Sequence, residues 1–181
     1  MTDPRPNHRY YLANHGQWRG ELRWTMTSWR AFRTHRMGLM DRLQVLSLVF
    51  TTWALGPLNM ETEVDYHGQG PTTGDVVHLT RLGKWGVTLL KSREVFSLHE
   101  DGQEVGVRGE RRSLPLWRAE GFGDSAARVH EDGRRASYAF PWFGTRIEQT
   151  VVILEEGHDR ITMETPWMRG EAEVRRVPSA G

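Results

Sequence analysis

Gln17-Trp-Arg-Gly-Glu-Leu-Arg-Trp-Thr-Met26 alternates without a break: Trp18, Gly20, Leu22, Trp24 and Met26 fall on one face, with Arg19, Glu21 and Arg23 on the other. Strict period-2 alternation marks a half-buried β-strand. Leu58-Asn-Met-Glu-Thr-Glu-Val-Asp-Tyr66 repeats the pattern, with Leu58, Met60, Val64 and Tyr66 opposed to Asn59, Glu61, Glu63 and Asp65. One wet face per strand argues for an antiparallel sheet, since a parallel sheet is covered on both sides.

Beyond Tyr66, turn signals recur at short intervals: the loop His67–Asp75, Leu82-Gly83, Gly86, Glu100-Asp-Gly102, Gly109, Gly121–Asp124, Glu131-Asp-Gly133, Gly144 and Glu155-Glu-Gly157. Asp-Gly between alternating runs signals a hairpin, because both turn positions take φ > 0. Strands at this spacing imply a sandwich or barrel. His-Glu-Asp-Gly occurs at 99–102 and again at 130–133. Both copies read as hairpin tips, where short polar residues serve turn geometry, rather than as metal half-sites.

The series is interrupted once. Leu43-Gln-Val-Leu-Ser-Leu-Val-Phe-Thr-Thr-Trp-Ala-Leu55 is uncharged and largely apolar, and Gly56-Pro57 ends it. A membrane-spanning helix needs ~20 apolar residues, so this run is too short. Its place between the first two strands suits a helix that covers one open end of a barrel. Ser28-Trp-Arg-Ala-Phe-Arg-Thr-His-Arg36 precedes it as a short helix, and Asp41 reads as an N-terminal residue of the long one. Trp29 and Phe32 either pack on the barrel rim with the arginines in water, or help form a basic portal for carboxylates or a patch for anionic membranes. The expected architecture is mainly β: a single antiparallel up-and-down β-barrel of about ten strands with a helical lid between strands 1 and 2. It would span residues 1–181 as one domain, with a helical or flexible N-terminal segment at 1–15 and the lid at 28–56.

Composition narrows the function. The chain has 181 residues, no cysteine and a net charge of +1. Disulfides, thiolate metal sites and thiol nucleophiles are thereby excluded. Lys84 and Lys91 are the only lysines, so the cations are nearly all arginine, a bias that GC-rich coding produces. The cations are scattered rather than clustered with exposed aromatics, which argues against nucleic-acid binding. The eight histidines lie far apart, with no His-x-His or His-Glu-x-x-His, so no metal is expected. The N-terminus lacks an apolar signal-peptide core, making cytoplasmic location the expectation.

His15-Gly16-Gln17-Trp18, preceded by the short stretch Arg9-Tyr-Tyr-Leu-Ala-Asn14, resembles the Gly-x-Trp opening of the calycin barrels: lipocalins, fatty-acid-binding proteins and nitrobindin-like proteins. The resemblance implies that Trp18 plugs the closed end and that a basic residue of the last strand covers it, here Arg175 or Arg176. The helical insertion between strands 1 and 2 is similar to the fatty-acid-binding branch. The chain departs from that branch in its length and in lacking an Arg-x-Tyr clamp near its end. Nitrobindin-like proteins hold haem through a histidine of the C-terminal region. Here the last histidine is His158, at a turn, so no cofactor is expected.

Alternation also nominates a cavity lining. Tyr138, Phe140 and Trp142 share a face, opposite Ala139, Pro141 and Phe143; Gln149 falls in phase with Ile147, Val151 and Ile153, and Trp167 with Ile161 and Met163. With Trp24, Met60 and Tyr66 from the early strands, and Phe50 and Trp53 from the lid, these are the candidate ligand-binding residues. Aromatic side chains each bury ~150–250 Å² and pack flat or apolar ligands well. Candidate catalytic groups are His78, Arg81 and Glu94. On Asp75–Arg81 the faces Val76/His78/Thr80 and Val77/Leu79/Arg81 are equally plausible interiors: the first offers His78 for proton transfer, the second Arg81 as an anchor for an acid. Glu94 shares a face with Phe96 and Leu98, where burial would suit a general acid or base.

No Gly-x-Ser-x-Gly, phosphate-binding loop or dinucleotide fingerprint is present. Two functions remain: a binding protein holding a hydrophobic small molecule under the lid, or a cofactor-independent cyclase, isomerase or hydratase that folds an apolar polyketide or terpenoid intermediate in the same cavity. The apolar lid also admits a homodimer or a peripheral membrane contact beside the monomer.

Overall fold

In a computed structural model, residues 10–11, 13–68, 74–98, 105–114, 118–142 and 144–178 are described. Ten antiparallel strands close on themselves: β1 (Gly16–Met26), β2 (Leu58–Gly68), β3 (Gly74–Lys84), β4 (Val87–Leu98), β5 (Val105–Ser113), β6 (Arg118–Val129), β7 (Arg135–Trp142), β8 (Thr145–Glu155), β9 (His158–Glu164) and β10 (Met168–Arg176). Each strand pairs with its sequence neighbours, and β1 pairs with β10 from Trp18↔Arg176 to Met26↔Met168. This is the expected lidded up-and-down barrel.

Side-chain alternation sets the register. On β7, Ala136, Tyr138, Phe140 and Trp142 are buried, while Arg135 and Pro141 are exposed. Slipping a strand by one residue would turn its apolar set to water, so the pattern specifies the pairing. The turns follow. Trp85 (φ 50°) and Gly86 (φ 80°) make a two-residue hairpin loop between β3 and β4, the left-handed pair of a type I′ turn. At 130–133 the second His-Glu-Asp-Gly is a hairpin tip, with the Asp132 carboxylate accepting from the Arg134 and Arg135 amides; the first copy, at 99–102, lies outside the described residues, as does Phe143.

The lid consists of α1 (Trp29–Thr34) and α2 (Leu39–Leu55). Ser28 caps α1 by accepting from the Ala31 amide at 3.2 Å. α2 starts two residues before Asp41, at a Gly38 N-cap, and Asp41 lies in its first turn, where the helix dipole favours a carboxylate. Thr52 of α2 donates to the Trp24 carbonyl at 3.0 Å and Gln44 to Ser113 Oγ at 2.8 Å. These bonds pin the helix over one barrel end. Among the described residues no helix is long and apolar enough to cross a membrane.

Candidate ligand cavity and its polar seam

The opposite end is closed from within. Tyr10, Tyr11, Ala13 and Asn14 are helical, and Tyr10 and Tyr11 are fully buried. Trp18 Nε1 donates to the Asn14 carbonyl at 2.7 Å, and Tyr138 donates through its hydroxyl to the Tyr10 hydroxyl at 3.1 Å. Arg176 lies over the Trp18 ring, 5.1 Å from its centroid, and donates to the Ala13 carbonyl. Of the two arginines left open by the sequence, Arg176 covers the indole, while Arg175 is exposed.

Between this floor and the lid runs a cavity of about 100 Å³. Among the described residues every strand but β6 contributes to the wall of this slot. One wall is mainly apolar: Tyr138, Phe140, Ile147, Val151, Ile161 and Met163, with Gln149 among them. Towards the lid, Trp24 stacks on Trp142 at 4.9 Å between centroids and 24° between planes.

The other wall is polar. Thr62, Thr80 and Ser92 face inward beside Arg111 in one row across β2–β5, aligned by the pairs Thr62↔Thr80, Thr80↔Ser92 and Ser92↔Arg111. The Thr62 and Thr80 hydroxyls are 3.3 Å apart. One row towards the floor, His78 stands directly opposite Glu94. Ser92 is hydrogen-bonded to Glu94. Arg111 donates to the Pro141 carbonyl and lies over the Phe122 and Phe140 rings.

Burial shapes the chemistry of this wall. It lowers His78 to about 4, leaving a neutral imidazole. It raises Glu94, against the pull of Arg111 and the Ser92 hydrogen bond. It lowers Arg111 to about 10, although Glu120 and Glu94 act the other way. Desolvation dominates in each case because it penalises the charged form. At the floor, Asp159 is raised by burial to about 7, with Arg176 and His158 opposing.

The sequence candidates separate cleanly. His78, Glu94, Trp24, Met60, Tyr138, Phe140, Trp142 and Gln149 line the slot. Arg81 does not: β3 turns Val76, His78, Thr80 and Leu82 inward, which puts Arg81 outside, bonded to Thr88 at 2.7 Å and 4.0 Å from Glu61. Phe50 and Trp53 are 63% and 79% exposed on the outer side of α2, because the face spent on the barrel is Gln44, Val45, Leu48 and Thr52. Trp167 is buried away from the slot, supporting α1 through Phe32 at 5.4 Å between centroids. Tyr66 has the inward phase of β2 but lies outside the lining.

Arg111, Asp159 and the N-terminal tyrosines were missed. Arg111 is in phase with Val105 and Val107, and Asp159 with Ile161 and Met163, so period-2 counting finds both. Nothing comparable marks Tyr10 and Tyr11, since one helical turn carries no periodicity.

No protein-family model matches this chain, and no curated protein does. A solved structure shares its fold. The S-type phycobiliprotein lyase CPES from Guillardia theta matches with a TM-score of 0.57 at 10% identity, covering 96% of this chain and 93% of that one. The closed ten-strand barrel fits a calycin-like fold. EF1p2_mFAP2b bound to DFHBI matches at 7% identity over 94% of this chain and 98% of that chain, with a TM-score of 0.38, a likeness too loose to define a shared fold.

Proposed function

We propose that this protein binds a hydrophobic small molecule in the slot between the Trp18 floor and the α2 lid. The observation that carries this reading is a closed barrel whose interior retains open space against an aromatic wall, instead of being filled by its own side chains as small barrels often are. The volume, about 100 Å³, is below the ~150 Å³ that holds benzene in an engineered cavity, so a single-ring ligand enters by displacing a lining side chain such as Tyr10. A second reading rests on the facing pair His78 and Glu94. A neutral imidazole beside a carboxyl with raised proton affinity can pass a proton in either direction, which supports a cofactor-independent isomerase or cyclase acting on an apolar polyketide or terpenoid intermediate in the same slot.

Titration with o-xylene, followed by calorimetry and tryptophan quenching, tests the binding reading. Saturable binding is expected in the wild type, and Val151→Phe, which fills the slot, abolishes it while the barrel still unfolds cooperatively. Binding unaffected by Val151→Phe overturns the assignment. Deuterium uptake by cyclohexanone in D₂O separates the two readings. Exchange accelerated by the protein and lost in Glu94→Gln, with o-xylene binding kept, indicates catalysis; exchange at the buffer rate leaves a binding protein.

A further inference from the structure

The two walls of the slot differ in more than polarity. The apolar wall is packed: Trp24, Tyr138 and Trp142 are 3–4% exposed. On the polar wall Thr62, Thr80, Ser92, His78 and Glu94 all remain partly accessible although they point inward. The hydroxyl, carboxyl and imidazole groups of this wall thus form one continuous seam facing the space. Across the space stand mainly aromatic and aliphatic groups, among which Gln149 and the Trp24 indole N–H are the polar exceptions; the Tyr138 hydroxyl is hydrogen-bonded to Tyr10.

Polar groups beside a mostly dehydrated space gain from a partner and lose when an apolar surface covers them. Thr62, Thr80 and Ser92 bring hydroxyls that can donate and accept, and Glu94 holding a proton does the same. His78 Nε2 has no hydrogen-bond partner among the described residues. A purely hydrocarbon ligand would cover this seam without satisfying it. A ligand polar on two opposite edges would bury one edge against Phe140 and Ile147, whose side chains offer it no hydrogen bond.

Resting on the proposed binding function, we infer that the slot selects small single-ring molecules whose hydroxyl or carbonyl oxygens lie along one edge. That edge meets Thr80, Ser92 and Glu94, and the opposite, apolar edge meets the Tyr138–Phe140–Trp142 wall. The ring itself supplies shape; the seam supplies orientation. Edge placement, rather than oxygen count, is the quantity the seam reads.

Three probes of similar shape test this. 1,2-Benzenedimethanol carries both hydroxyls on one edge, 1,4-benzenedimethanol carries them on opposite edges, and o-xylene carries none. Calorimetric titration is expected to show the 1,2-isomer binding about tenfold or more tighter than the 1,4-isomer, since one unpaired buried hydroxyl is enough for that ratio. In Thr80→Val/Ser92→Ala the preference collapses to less than about threefold, while o-xylene binds at least as well as to the wild type. Thermal unfolding of the double variant establishes that it folds, and the single variant Ser92→Ala, expected to lose part of the preference, serves if it does not. Equal affinity for the two diols in the wild type overturns the edge rule and leaves the cavity intact. Failure of all three probes overturns the binding function itself. A preference for the 1,2-isomer that survives loss of the seam hydroxyls assigns the selection elsewhere and overturns the inference.

Discussion

Asp159 is 3% exposed at the floor of the barrel, and burial lifts its carboxyl to about 7 although Arg176 and His158 both act to lower it. The unfolded chain releases this proton near ~4. Between those values the native protein holds more protons than the unfolded chain, so stability falls as pH rises from about 4 to about 7, by at most ~1.4 kcal/mol per pH unit for one group. His78 has the opposite sign: its folded value of about 4 lies below the unfolded ~6.5, so its contribution is lost as pH falls through that window. Urea midpoints of Asp159→Asn measured against wild type isolate the carboxyl, because the His78 contribution is common to both. The variant should gain steadily on the wild type from pH 5 to about pH 7 and level off by pH 8. A difference that stays constant across that range would mean that Asp159 titrates like a solvated carboxylate.

At the scale of elements, Arg42 ties the two helices of the lid together. α1 has six residues, too few to hold a helix in water unaided. Arg42 of α2 donates to the carbonyls of Phe32 at 3.0 Å, Arg33 at 3.3 Å and His35 at 2.6 Å, and its guanidinium lies 5.4 Å from the Phe32 ring centre. It thereby satisfies two of the orphan C-terminal carbonyls of α1 and that of its C-cap residue. Arg42→Met keeps much of the stem packing and removes all three donors, at a cost on the order of 2 kcal/mol. Amide exchange over residues 29–36 should then accelerate severalfold, with the β7–β9 amides still protected; unchanged exchange in the lid would show that Arg42 does not hold it. The same element shows what could be read in advance. Each strand carries a wet and a dry face, so alternation in Gln17–Met26 or Arg135–Trp142 gives both its structure and its orientation. α2 is apolar nearly all round, and a 3.6-residue period has no contrast to work with. Its position over the barrel was legible, but its buried face was not, which is why Phe50 and Trp53 turn out to face outward. On β3 the two faces carry comparable mixtures, and the cross-strand environment decides for His78 over Arg81. Tertiary context, not propensity, makes that choice.

For the molecule as a whole, everything depends on joining residue 18 to residue 176. β1 and β10 are the ends of the sheet, and their pairing removes the two edges that an open sheet would expose. Two glycines permit this closure. A Cβ at Gly20 would lie 2.0 Å from the Glu173 carbonyl oxygen and 2.8 Å from Val174 Cα, both backbone atoms of β10. A Cβ at Gly170 would lie 2.5 Å from the Trp24 ring, which occupies the space a side chain would need. The two collisions differ in what must give way. Trp24 is a side chain stacked on Trp142 at the lid end of the slot, and it can tilt at the ~1–3 kcal/mol typical of overpacking. The β10 backbone can retreat from Gly20 only by breaking the ladder that closes the barrel. Gly170→Ala should therefore fold, lose ~1–3 kcal/mol in denaturant titrations and bind o-xylene more weakly through the displaced indole. Gly20→Ala should lose more than Gly170→Ala and expose the β1 and β10 amides to exchange together, since neither edge has another partner. Equal losses in the two variants, or protected β1 amides in Gly20→Ala, would mean that the barrel absorbs a wedge at its closing seam, and that closure is less demanding than the contact between Gly20 and β10 requires.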